Sequence, residues 1–89
     1  AITPDYIIDY CAKLYNVKKE DIYSEKRNNE IVFARQVCIY IIRELTDYSL
    51  SKIGAIFGKD HATILYALKK LTKIMENDNT KISLSENGE

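Results

Sequence analysis

The sequence predicts an all-α fold: one small domain of about four to five helices over residues 1–76, built around a helix-turn-helix, with a polar, flexible tail over 77–89. Three observations carry this. Apolar residues recur at every third and fourth position over long stretches, the spacing of one buried helix face. Residues that start and stop helices stand at the ends of those stretches. The chain has only three Gly and one Pro, too few for a turn-rich β-sandwich or a disordered chain.

Thr3-Pro4-Asp5 opens the first helix. Thr accepts a hydrogen bond from an orphan backbone amide, Pro suits the first helical position, and Asp complements the positive end of the helix dipole. Ile7, Ile8, Cys11, Leu14 and Tyr15 follow at helical spacing, and Asn16 is a plausible stop. Lys18 to Ser24, with Ile22 and Tyr23, reads as one or two further turns. Ser24 to Asn29 is polar and aperiodic, a loop. From Glu30 the set Ile31, Ala34, Val37, Cys38, Ile41, Ile42 and Leu45 steps by threes and fours, predicting one long helix over 30–46.

Ser49 to Leu68 carries the most information. Leu50, Ile53, Ile56 and Phe57 share one face of a short helix that Ser49 can cap. Lys52 cannot complete a capping box there. Gly58 supplies the positive φ of a helix end, and Asp60 caps a second helix that buries Ile64, Ala67 or Leu68, Leu71, and Ile74 or Met75. Asn77-Asp78-Asn79 is the expected stop. Two helices joined this way form a helix-turn-helix, and the second opens with the small and polar His61, Ala62 and Thr63. Such an N-terminus is shaped to enter a DNA major groove.

Composition narrows the alternatives. No apolar run approaches the roughly 20 residues of a membrane span, and no charged leader followed by an apolar stretch marks secretion. Ala1 rather than Met opens the chain, as in a processed form or a domain cut from a longer protein. Cys11 and Cys38 lie on apolar stripes and read as buried free thiols, consistent with a reducing cytoplasm. With one His there is no His-based metal site. Nor is there a Gly-rich phosphate loop, a nucleophile motif or a convincing carboxylate pair. The expectation is a binding module and not an enzyme, with no cofactor and no membrane partner.

Net charge is zero, but its distribution is uneven. Residues 24–70 hold eight Lys or Arg against five Asp or Glu, whereas both ends are net negative. A mild basic face suffices for phosphates, because screening limits each charge to about 8–10 Å in physiological salt. The base-facing candidates are Asp60, His61, Ala62, Thr63 and Tyr66, the last one turn beyond Ala62. Ala62 and the Thr63 methyl suit a thymine methyl, and His61 and the Thr63 hydroxyl suit polar base edges. Asp60 can cap its helix, accept from a cytosine amino group, or do both. Backbone-facing candidates are Arg35 and Gln36, read as lying early on the exposed side of the long helix, with Arg43 two turns on and Ser49 beyond. Lys26-Arg27-Asn28-Asn29 is a basic polar loop suited to the backbone or a minor groove. The remaining tyrosines (Tyr6, Tyr10, Tyr15, Tyr23, Tyr40 and Tyr48) read as core cover with hydroxyls outward.

Arg35 to Leu71 resembles the C-terminal DNA-binding domain of the bacterial replication initiator DnaA. The matching positions are Arg35-Gln36, Arg43-Glu44-Leu45-Thr46, Ser49-Leu50, Ile53-Gly54, Phe57-Gly58 and Asp60-His61-Ala62-Thr63. Ile2 to Ser24 resembles that domain's first helices. The resemblance implies a Trp-repressor-like helical fold that binds double-stranded DNA boxes at a replication origin, with further initiator copies or domains as partners. It implies base contacts from Asp60, His61 and Thr63 and backbone contacts from Arg35, Gln36, Arg43, Ser49, Leu50 and Lys59. It places a minor-groove loop at Lys26, Arg27 and Asn29. The chain departs from the family at several points. A single Gly58 precedes Lys59 where the family has two glycines and an Arg. Ala62 replaces a Thr, Asn29 the minor-groove Arg, Ala34 a Pro and Tyr66 a His. A protein-interaction module, or a regulator with altered DNA specificity, is the alternative. A continuous positive stripe from Lys26 through Arg35 and Arg43 to Lys59 would favour DNA, and a face broken by Glu30 and Asp47 would favour protein.

Overall fold

A computed structural model describes residues 2–86, with side chains described as far as Asn77. Five helices follow in order: α1 (Pro4–Leu14), α2 (Lys19–Tyr23), α3 (Asn29–Leu45), α4 (Leu50–Phe57) and α5 (His61–Glu86). Among the described residues there is no strand. The predicted all-α class and the predicted elements are present.

Local chemistry fixes the ends. The Thr3 hydroxyl accepts from the Tyr6 amide at 3.2 Å, with Pro4 in the first turn. Asn16 closes α1 in the left-handed region, at φ 55°. The Val17 amide reaches back to the Ala12 carbonyl at 2.9 Å and the Asn16 amide to Lys13 at 3.3 Å. This is a Schellman closure, and Asn tolerates its positive φ. Asp5 ties α1 to α2, accepting from Lys19 Nζ and the Tyr23 hydroxyl, each at 2.8 Å. Partial burial, then that carboxylate, push the Tyr23 phenol up to about 12.

α3 is the central element, packing against each of the other four helices. Ile8 and Cys11 of α1, Ile22 of α2, Ala34, Cys38 and Ile42 of α3, Ile53 of α4 and Ile64 of α5 are fully buried together. Both cysteines are free. Both are fully buried and pack as small hydrophobes, and hydrogen bonding to Cys11, then burial, push the Cys38 thiol up.

Three expectations change. α5 continues to Glu86, through Asn77-Asp78-Asn79. The expectation of a flexible tail over 77–89 reaches past the described residues. Leu14 and Leu45, each placed on a buried face by its spacing, are both 56% exposed. Tyr6 and Tyr10 do not cover the core but stand mostly exposed beside an apolar groove between α1 and α3.

Candidate nucleic-acid interface

The helix-turn-helix is α4, the turn Gly58–Asp60, and the start of α5. The Ser49 hydroxyl accepts from the Lys52 amide at 3.1 Å and so caps α4. α4 ends in a second Schellman closure: Gly58 adopts φ 64°, and the Lys59 amide reaches the Gly54 carbonyl at 2.8 Å. The turn presses so closely on α4 that a Cβ on Gly54 would lie 2.4 Å from the Lys59 carbonyl oxygen. Glycine at 54 therefore sets the distance between the two helices.

Asp60 then starts α5. Its Oδ1 accepts from the Thr63 amide at 2.8 Å. The Thr63 side chain, then this amide, hold the carboxylate below its usual range. An ionised carboxylate at the positive end of a long helix is a strong cap. α5 turns Ile64, Ala67 and Leu71 into the core, which points His61, Ala62, Thr63 and Tyr66 outward. Tyr66 is 65% exposed. The four outward residues form the predicted reading edge.

The predicted backbone contacts divide. A cleft of about 320 Å³ separates the α2–α3 loop and α3 from the start of α5. It brings Arg27, Arg35, Gln36, Lys59, Thr63 and Tyr66 around a floor of Val32, Ile39 and Ala67. Arg43, Ser49 and Leu50 lie elsewhere, at the entrance to α4. There Arg43 donates to the Tyr48 carbonyl at 2.9 Å.

Arg35 and Gln36 are not on an exposed face: both are buried, Arg35 at 6% exposure. Arg35 Nε donates to the Ile22 carbonyl at 2.7 Å and an Nη to the Asp21 carbonyl at 3.0 Å. The guanidinium thus caps the C-terminus of α2, where the last carbonyls lack helical partners. Asn29 is exposed but is the first residue of α3 and not part of the loop. Lys26 pairs with Asp21 at 3.1 Å and Lys59 with Glu25 at 3.3 Å. The stripe that would favour DNA is therefore broken, by burial of Arg35 and by Asp21 and Glu25 on the two lysines and not by Glu30 and Asp47.

Sequence reading missed two contributors. Glu25 reaches across the cleft to Lys59, and the only signal was an acidic residue opening a basic loop. Lys52 lies over the Tyr48 ring, 4.9 Å from its centroid, which places another cation beside the α4 entrance.

A family described as the bacterial dnaA protein helix-turn-helix matches residues 4–71. The chain belongs to that family. It is 46% identical over 77 residues to the chromosomal replication initiator protein DnaA of a Thermoanaerobacter species, which covers 86% of this chain and 17% of that protein. It is 42% identical over 82 residues to the protein of the same name from Tropheryma whipplei, covering 92% of this chain and 17% of the relative. A Synechocystis relative of that name is 42% identical over 79 residues, 88% of this chain and 18% of its own. The chain thus spans less than a fifth of the length of these relatives. Membership in this helix-turn-helix family supports DNA binding. No helix among the described residues is long and apolar enough to cross a membrane.

Proposed function

We propose that this domain binds double-stranded DNA sequence-specifically, setting the start of α5 into the major groove of DnaA boxes at a bacterial replication origin. The observation that carries this reading is the outward edge His61-Ala62-Thr63, capped by Asp60 and set by the Gly54–Lys59 contact. Helix-turn-helix readers place the same part of their second helix against base edges. His61 and Thr63 supply the polar contacts and Ala62 an apolar one. Ser49, Lys59 and Arg43 hold phosphates, and Arg27 is the loop cation placed to reach a groove. The domain acts by binding and not by catalysis, in the cytoplasm, with further initiator copies or other initiator domains as its partners.

Fluorescence anisotropy tests this, with a duplex carrying a DnaA box beside a scrambled duplex, at two salt concentrations. Tighter, salt-dependent binding to the box is expected. His61→Ala should lose discrimination, by about 1–3 kcal/mol for one base contact, whereas Lys59→Ala should weaken both duplexes alike. Equal losses on both duplexes for His61→Ala would remove it from the base-reading edge. The broken basic stripe favours a second reading, a protein-interaction module, to which absence of binding to either duplex at low salt would point.

A further inference from the structure

Lys59 stands directly before the cap of the reading helix, and its ammonium is not free. Glu25 Oε1 lies 3.3 Å from it, from a loop 34 residues earlier in the chain. The two partners are unequally placed. The Lys59 side chain is 20% exposed and held in the cleft, whereas that of Glu25 is 85% exposed. The carboxylate therefore occupies the solvent side of the cation, the side from which a DNA phosphate must approach. A phosphate and Glu25 cannot both sit at this distance from one ammonium without facing each other as like charges.

We propose that Glu25 sets the strength of the sequence-independent part of DNA binding, competing with the DNA phosphate for Lys59. The inference rests on the DNA-binding reading and deepens it. In the free domain Glu25 satisfies Lys59. In the complex the exposed carboxylate swings aside, and the lost pair is subtracted from affinity for every duplex. The neighbouring loop cation Lys26 is also paired, with Asp21 at 3.1 Å, but there the lysine is the exposed partner and the carboxylate the sheltered one, so only at Lys59 does the carboxylate stand on the solvent side. What remains undiminished is the His61-Ala62-Thr63 edge, so the penalty falls on phosphate binding and leaves base readout intact. Suppressing the common term in this way keeps the domain off random sequence.

The test is Glu25→Gln in the full chain, which keeps the side chain's size and removes its charge. Binding is measured by anisotropy on the box and scrambled duplexes across a salt series, with Lys59→Ala and the double variant alongside and thermal melts as a folding control. An exposed ion pair is a weak competitor, so Glu25→Gln should tighten both duplexes by about 2–5-fold. Because Lys59 reaches its phosphate in both proteins once Glu25 yields, the log–log salt slope should change by less than the roughly 0.9 of one whole phosphate contact. In the Lys59→Ala background the gain should disappear. Unchanged or weaker binding by a folded Glu25→Gln variant, while the parent binds DNA, overturns this inference alone. The same gain without Lys59 also overturns it, since the effect would then be a general field. Failure of both parent and Glu25→Gln to bind any duplex at low salt overturns the DNA-binding reading together with it.

Discussion

Arg35 carries a full charge on a helix, beside Gln36, and yet turns inward. Its guanidinium finds the Ile22 and Asp21 carbonyls at the end of α2, so the charge is solvated by backbone dipoles in place of water. Two planar donors in a fixed fork are needed for this, and a lysine ammonium cannot place donors on both carbonyls in the same way. Arg35→Ala should therefore cost about 2–4 kcal/mol of stability, from the hydrogen bonds of a charged donor and the Ile22 carbonyl left bare, since the Asp21 carbonyl keeps the Ser24 amide and hydroxyl. Arg35→Lys should recover little of it. Urea denaturation measures both, and DNA affinity is compared well below the melting transition. A residue serving mainly as a phosphate cation would behave otherwise: Lys would be nearly as good as Arg, and Ala would impair binding without impairing the fold. The sequence marked Arg35 as polar and helical, but the identity of its partner depends on α2 lying against α3, which helical spacing does not encode.

At the scale of the element, the decisive contact is between two pieces of backbone. Gly58 and Gly54 are both needed, for different reasons. Gly58 adopts a positive φ in open space, so an alanine there carries only the conformational penalty, about 1–2 kcal/mol. Gly54 has no room, because its Cβ would meet the Lys59 carbonyl oxygen at 2.4 Å. Gly54→Ala should cost about 1–3 kcal/mol and, beyond that, push the turn off α4. Since the turn positions Asp60 and the reading edge, Gly54→Ala should weaken DNA binding under conditions where it remains folded, whereas folded Gly58→Ala should bind nearly as the parent does. Denaturation curves paired with anisotropy separate the two effects, and equal binding by both variants would count against the turn as the positioning device. The caps of these helices were legible because Ser49, Gly58 and Asp60 act on their own nearest turns. The wrapping of α3 was not. Ala34 to Ile39 is buried at every position, since helices press on α3 from several sides, and an amphipathic pattern describes a helix with one wet face. The stop at Asn77-Asp78-Asn79 failed for a related reason: these residues are weak helix formers, not helix breakers.

The 89-residue chain taken together carries zero formal net charge, an unusual balance for a domain proposed to bind a polyanion. Neutrality is compatible with that assignment because phosphates respond to the nearest charges, within about 8–10 Å, and not to the sum. What it limits is the number of cations that can act. Lys26 and Lys59 are paired and Arg35 is buried, which leaves Arg27, Arg43 and Lys52 near the helix-turn-helix, with Lys59 as a fourth once Glu25 yields. Four phosphate contacts correspond to a slope of log K against log salt of about −3.6. A titration of box-duplex affinity from low to physiological salt should give a slope of about −3 to −4, and box preference should persist across the series because it resides in uncharged contacts. A slope near −8 would require cations that the described residues do not present on this face, and would move the DNA onto Lys69, Lys70 and Lys73 farther along α5. A slope near −1 would leave the backbone almost unengaged, so the affinity would have to come from the reading edge alone.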